Sequence, residues 1–183
     1  MIFVSAGHHQ EAKGATFGDF NEYDEAQIWK SLILSGLGDL GMAVPSGVLN
    51  QKTTFINSWS DSPSDIAIEI HFNAAKDKNS TYIGQGCETL YYPGSKRGKA
   101  AGEAIQEALA PIFPPNRGAK EGYYRMDRKN GVDWFLKKTV CTALIIEPEF
   151  IHHKHKIQGD RGIACKSIAN TLIDFVNTGG ENE

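Results

Sequence analysis

The stretch DIAIEIHFNAA, residues 65–75, constrains the fold more than any other part of the chain. Successive side chains of a strand point to opposite faces. Ile66, Ile68 and Ile70 therefore share one face, and Ala67, Glu69 and His71 share the other. Such a run reads as a strand in a covered sheet, and it ends in His71-Phe72-Asn73, groups that can do chemistry.

The rest of the chain alternates strand-like and helix-like patterns. Residues 2–6 read as a short buried strand, and 8–21 as a Gly- and polar-rich loop. From about Asp24, Ala26, Ile28, Trp29, Leu32, Ile33, Leu37 and Leu40 recur at helical spacing, with Gly41 as the stop. A second strand is expected over 43–49, and 50–64 is a connection with room for a helical turn. Residues 76–86 are a loop, and GCETLYYP is a strand ended by Pro93. Ser95 is a candidate cap for a helix over 96–112. PPNRGAKEG reads as a loop and 131–138 as a short helix. TVCTALIIEPEF is a β-branched strand, 160–176 the last helix, and GGENE a frayed tail. The alternation predicts an α/β fold: a single domain, residues 1–178, with a mostly parallel twisted sheet flanked by helices. A flexible tail over 179–183 follows.

Bulk properties narrow the function. At 183 residues the chain can bury roughly 70% of its unfolded surface, enough for one unaided core. A formal net charge of −3 argues against nucleic acid as the main partner. Cys87, Cys141 and Cys165 are odd in number and form no C-x-x-C pair, which predicts reduced thiols in place of a disulfide framework. The stretch MIFVSAGHH has neither a basic n-region nor a long apolar segment, so no signal peptide and no membrane insertion are expected. The reading is of a monomer, made in the cytoplasm.

In open α/β sheets, functional groups collect at the carboxyl ends of strands. Here the first strand ends at His8-His9, the DIAIEI strand at His71 and the TALII strand at Glu147-Pro148-Glu149. The loop after the first strand offers Glu11, and a helix start offers Glu22 and Glu25. Two imidazoles and a carboxylate make a set that binds catalytic zinc with one position open. Glu147 closes an apolar run, where a carboxylate needs a partner or a function. His152-His153-x-His155 reads as an exposed polar loop.

These residues carry a resemblance. SAGHH-x5-GA-x6-E (5–22), AIEIHFNA (67–74), GCETLYYPGS-x3-GKAAGEAI (86–105) and TALIIEPEFI (142–151) resemble, in that order, the zinc-dependent N-acetylmuramoyl-L-alanine amidases of the type 3 family. The resemblance implies one zinc ion on His8, Glu22 and His71, with Glu147 as the catalytic glutamate. Glu25 stays a rival to Glu22, one turn away on the same helix. The family commonly has Gly-His-Gly-Gly where this chain has Gly7-His8-His9-Gln10, which keeps His9 as an alternative ligand. It usually has a small residue at Glu149, so a second carboxylate is expected near the site, binding a stem-peptide amine or facing solvent.

The implied chemistry is zinc-assisted hydrolysis of the amide between N-acetylmuramic acid and L-alanine in peptidoglycan, with Glu147 as general base and then acid. Asn73 is a candidate substrate-orienting residue. Tyr91, Tyr92, Tyr123 and Tyr124 are candidate groove residues, and Arg125, Arg128 and Lys129 candidate carboxylate contacts. The expected setting is phage-type lysis of the wall after membrane permeabilisation. The alternatives are a related zinc amidohydrolase acting on free peptides or small N-acyl amino acids, and a non-catalytic wall-binding module.

Overall fold

The computed structural model describes residues 1–123 and 131–179. Tyr124, Arg125, Arg128, Lys129 and the last four residues of the tail lie outside them.

Six strands form the central sheet: β1 (Ile2–Ala6), β4 (Gly41–Ala43), β5 (Ile66–Ile70), β8 (Cys87–Tyr91), β9 (Asn116–Glu121) and β10 (Thr142–Glu147). Their order is β4-β1-β5-β10-β8-β9. The first four run parallel; β8 runs antiparallel to β10, and β9 pairs parallel to β8. Two small hairpins lie outside it, β2 (Thr16–Phe17) with β3 (Phe20–Asn21) and β6 (Ala75–Lys76) with β7 (Tyr82–Ile83). This is the mostly parallel α/β fold that the alternation of patterns predicts.

Period 2 assigns the two faces. Ile2, Val4 and Ala6 of β1, Ile66, Ile68 and Ile70 of β5, and Leu144 and Ile146 of β10 pack under α1 (Glu22–Leu37), α3 (Lys96–Leu109) and α5 (Lys154–Asn177). Trp29, Ile33, Ile105, Leu109, Ile168 and Leu172 fill that layer and are fully buried. Each such side chain contributes roughly 1.5–3 kcal/mol on burial. Phe3, Ala67, Ala143 and Ile145 face the other way, under α2 (Leu49–Trp59) and α4 (Trp134–Lys138), against Ile56, Phe135 and Leu136. Further along this second face the apolar pattern stops, and Ser5 and Glu69 stand as register partners.

The elements depart from the sequence reading in several places, beginning with the hairpins β2–β3 and β6–β7, which fall largely in stretches read as loops. The strand expected over 43–49 ends at Ala43, because Pro45 lacks the N–H a ladder needs. The connection at 50–64 contains the 11-residue α2. Only Lys52, Thr53 and Ile56 of that helix are buried, too narrow and too polar a stripe to show as apolar periodicity. PPNRGAKEG yields β9, a half-exposed edge strand held by its backbone ladder to β8. The last helix starts at Lys154, since its first turns bury Ile157 alone among mostly polar residues. Cys87 and Cys165 are buried and Cys141 half-buried, all as free thiols.

Candidate metal centre

The parallel strands put the ends of β1, β5 and β10 along one edge of the sheet, and the antiparallel β8 brings its first residues there too, with Glu88 opposite Glu147. His8 follows β1, His71 follows β5, and Glu22 opens α1.

Glu22 is placed by a helix cap. The Asn21 side chain accepts from the Asp24 N–H at 2.9 Å, which starts α1 at Glu22, two residues before the start expected from periodicity. The Glu22 carboxylate is buried and fully engaged. Oε1 accepts from Phe72 N at 2.9 Å and lies 2.9 Å from His71 Nδ1. Oε2 accepts from Ala15 N at 2.9 Å and lies 3.0 Å from His8 Nε2. Burial alone would raise its pKa, but the hydrogen bonds and charges of His71 and His8 win and lower it well below the usual range.

The two imidazoles meet edge to face, with centroids 5.0 Å apart. Glycines make room for them. A Cβ on Gly7 would lie 2.6 Å from the His71 ring, and one on Gly14, at φ +75°, would lie 2.4 Å from His8 and 2.5 Å from Glu22. His8 itself has φ +61°, a left-handed conformation few non-glycine residues adopt. His71 reaches a second carboxylate through its other nitrogen, with Nε2 3.1 Å from Glu69 Oε2. Burial would depress the imidazole, yet Glu22 and Glu69 hold its pKa well above the ordinary value.

His8, Glu22 and His71 each offer one ligand atom, and these atoms lie within 4.8 Å of one another. Two nitrogens and one carboxylate suit zinc and leave a fourth position free. Among the described residues this is the one such group. The rival residues are not in this group. Glu25 is buried against α5, where it accepts from Trp29 Nε1 at 3.0 Å and Arg161 Nη1 at 3.3 Å. His9 pairs its backbone with Ala12. His152, stacked on Tyr82, and His153, paired with Glu149, sit half-buried in a short 3-10 turn, while His155 is exposed in the first turn of α5, so the histidines form neither the loop expected nor a metal group.

Glu147 is half-buried at the end of β10. Burial pushes its carboxyl up to about 7; nearby Glu88 and Glu22 add to this, while His71 and Arg117 oppose it. Glu88 gathers the Asn73 amide, Arg117 at 2.9 Å and Lys120 at 2.6 Å, so the Asn73 side chain already has a protein partner. Glu149 is 1% exposed and does not face solvent. It accepts from Gly86 N and Phe150 N, both at 2.8 Å, and so braces the chain behind β10. Tyr91 and Tyr123 line a cavity of about 450 Å³ with Glu88 and Lys120. Tyr92 lines a different one, beside Thr142 at the far end of β10. Sequence reasoning missed Glu69 and Lys52, both buried beside His71; the one signal was a glutamate inside an apolar strand.

Fold and site together define an α/β protein with a His–Glu–His set at the strand ends of its sheet. Residues 2–159 match the family described as N-acetylmuramoyl-L-alanine amidase, Amidase_3, and the chain belongs to that family. Solved structures share the fold. The catalytic domain of CwlV, an N-acetylmuramoyl-L-alanine amidase from Bacillus (Paenibacillus) polymyxa var. colistinus, superposes with a TM-score of 0.77 at 16% identity over 96% of this chain and 97% of that one. An N-acetylmuramoyl-L-alanine amidase from Clostridium difficile 630 gives 0.75 at 18% identity over 97% and 96%. An endolysin catalytic domain targeting Clostridia difficile gives 0.69 at 23% identity over 94% and 96%. An uncharacterised protein of Clostridium perfringens is 25% identical over 182 residues, 96% of this chain. The chain spans about half, 51%, of that relative's length. Among the described residues no helix is long and apolar enough to cross a membrane.

Proposed function

We propose that this chain hydrolyses the amide between N-acetylmuramic acid and L-alanine in peptidoglycan, with one zinc ion held by His8, Glu22 and His71 and with Glu147 moving the proton. The observation that carries the reading is the meeting of three ligand atoms within 4.8 Å at the strand ends, next to a carboxyl whose pKa is pushed up to about 7. Zinc, when bound, polarises the amide carbonyl and acidifies water. The protein's own part is positioning and proton transfer. Glu22 draws both imidazoles toward one point. Glu147 takes a proton from the attacking water on its carboxylate and returns it to the departing nitrogen of L-alanine. An amide needs this second step, because an unprotonated amine leaves poorly. Help of this kind is typically worth 10²–10⁴-fold.

The test uses purified protein and purified walls. Wild type is expected to hold one zinc per chain and to expose new N-terminal alanine. Cleavage of free peptides without new N-terminal alanine from walls would overturn the substrate assignment in favour of a peptide amidohydrolase. The setting that goes with this reading is endolysin-like lysis, supported by the endolysin among the similar folds. Cells producing the protein are then expected to lyse only once their membrane is permeabilised.

A further inference from the structure

We propose that Glu69 and Lys52 form a buried clamp that positions His71 and the His8 turn for the metal; this rests on His8 and His71 being ligands. Lys52 lies on α2 and Glu69 on β5, and each is 3% exposed. An ammonium has three protons to donate, and Lys52 uses all three: to Ala6 O at 2.6 Å, His8 O at 2.8 Å and Glu69 Oε1 at 2.9 Å. Glu69 Oε1 also accepts from Ser5 Oγ at 3.1 Å, which leaves Oε2 facing His71 Nε2 at 3.1 Å. One buried cation thus reaches both ligands, through the main chain to His8 and through Glu69 to His71.

Packing alone does not call for these charges. The same sheet face, one helical turn along α2, is closed by Ile56 against Phe3 and Ala67. Buried ion pairs carry a desolvation cost that apolar residues avoid, so their presence here needs another reason. The chemistry supplies one. A ligating histidine that donates its second ring N–H to a carboxylate is held in one tautomer and one orientation, and it becomes a better base. His71 turns Nδ1 toward Glu22 and Nε2 toward Glu69. On the other side, the left-handed backbone of His8 is a strained conformation that persists only where its surroundings hold it. The bond from Lys52 to the His8 carbonyl does so.

The experiment titrates zinc into metal-stripped protein against a competing chelator and follows metal-free melting in parallel. Glu69→Gln and Lys52→Met are each expected to weaken zinc binding roughly 10–100-fold. The double variant Glu69→Gln/Lys52→Met removes both charges together, so it keeps the test valid if a single variant with one unpaired buried group fails to fold. It is expected to be about as weak as the worse single variant, as befits residues acting as one unit. Zinc binding by the folded double variant within about twofold of wild type overturns the clamp alone. A wild type that takes up no zinc overturns the metal reading, and the clamp falls with it.

Discussion

Glu22 Oε1 lies 2.9 Å from His71 Nδ1 across 49 residues of sequence, and its other oxygen lies 3.0 Å from His8 Nε2. One helix-capped carboxylate thereby joins the ends of two strands.

That role separates Glu22 from Glu25. Glu22→Gln is expected to drop zinc content from about one per chain to near none, while Glu25→Gln keeps full zinc. Glu25→Gln instead loses stability, of the order of 1–3 kcal/mol, because its carboxylate holds Trp29 and Arg161 in a buried setting. Metal analysis and thermal melts of the two variants decide it; full zinc in Glu22→Gln would remove Glu22 from the ligand set.

Glu147→Gln keeps the size of the side chain and removes its proton chemistry. Zinc content is expected to stay at the wild-type level while wall hydrolysis falls about 10²–10⁴-fold. Hydrolysis within a few-fold of wild type would rule Glu147 out as the base.

The Glu147 carboxyl also predicts a pH dependence in the metal-free protein. Its pKa is raised from 4.5 to about 7, so the folded state favours the protonated form. The associated stability is complete below pH 4.5 and is lost as pH rises through about 7. Each pKa unit corresponds to about 1.4 kcal/mol, so the shift sets an upper bound of about 3.5 kcal/mol on how far Glu147→Gln should stabilise the metal-free protein at pH 8, with little effect at pH 4. Denaturant unfolding at the two pH values measures this; equal effects at both would mean that the carboxyl titrates normally.

Gly14 is where the loop can least accept a side chain. Its φ is +75°, and a Cβ there would collide with both His8 and Glu22. Gly14→Ala is expected to weaken zinc binding at least tenfold while the far-ultraviolet circular dichroism stays wild-type. A zinc affinity equal to wild type would show that the loop yields without moving the ligands.

Much of this is local pattern. The alternation of Ile66, Ile68 and Ile70 marks β5, the unbroken apolar run 143–146 marks β10, and α1 shows because Trp29, Ile33 and Leu37 recur with the helical period. Among the elements that escaped reading, α2 and β9 owe their stability to elsewhere: three buried residues under a sheet, or a backbone ladder at an edge. His8, His71 and Glu147 were legible as candidates because strand ends are where an α/β sheet gathers its chemistry, whereas Glu22, at a helix start, stood out only through the family resemblance.

The sequence by itself determined the layers, the strand ends and the short set of groups at them, since these follow from side-chain periodicity over a few residues. Only the tertiary structure decided which partners each glutamate meets. Glu22, Glu25, Glu69 and Glu149 are chemically identical in the chain, and all four are buried in the fold. Glu22 meets two imidazoles, Glu25 an arginine, Glu69 a lysine and His71, and Glu149 two backbone N–H groups. Those partners lie up to 136 residues away, as Arg161 does from Glu25, and a carboxylate takes its role from the partners it is buried with.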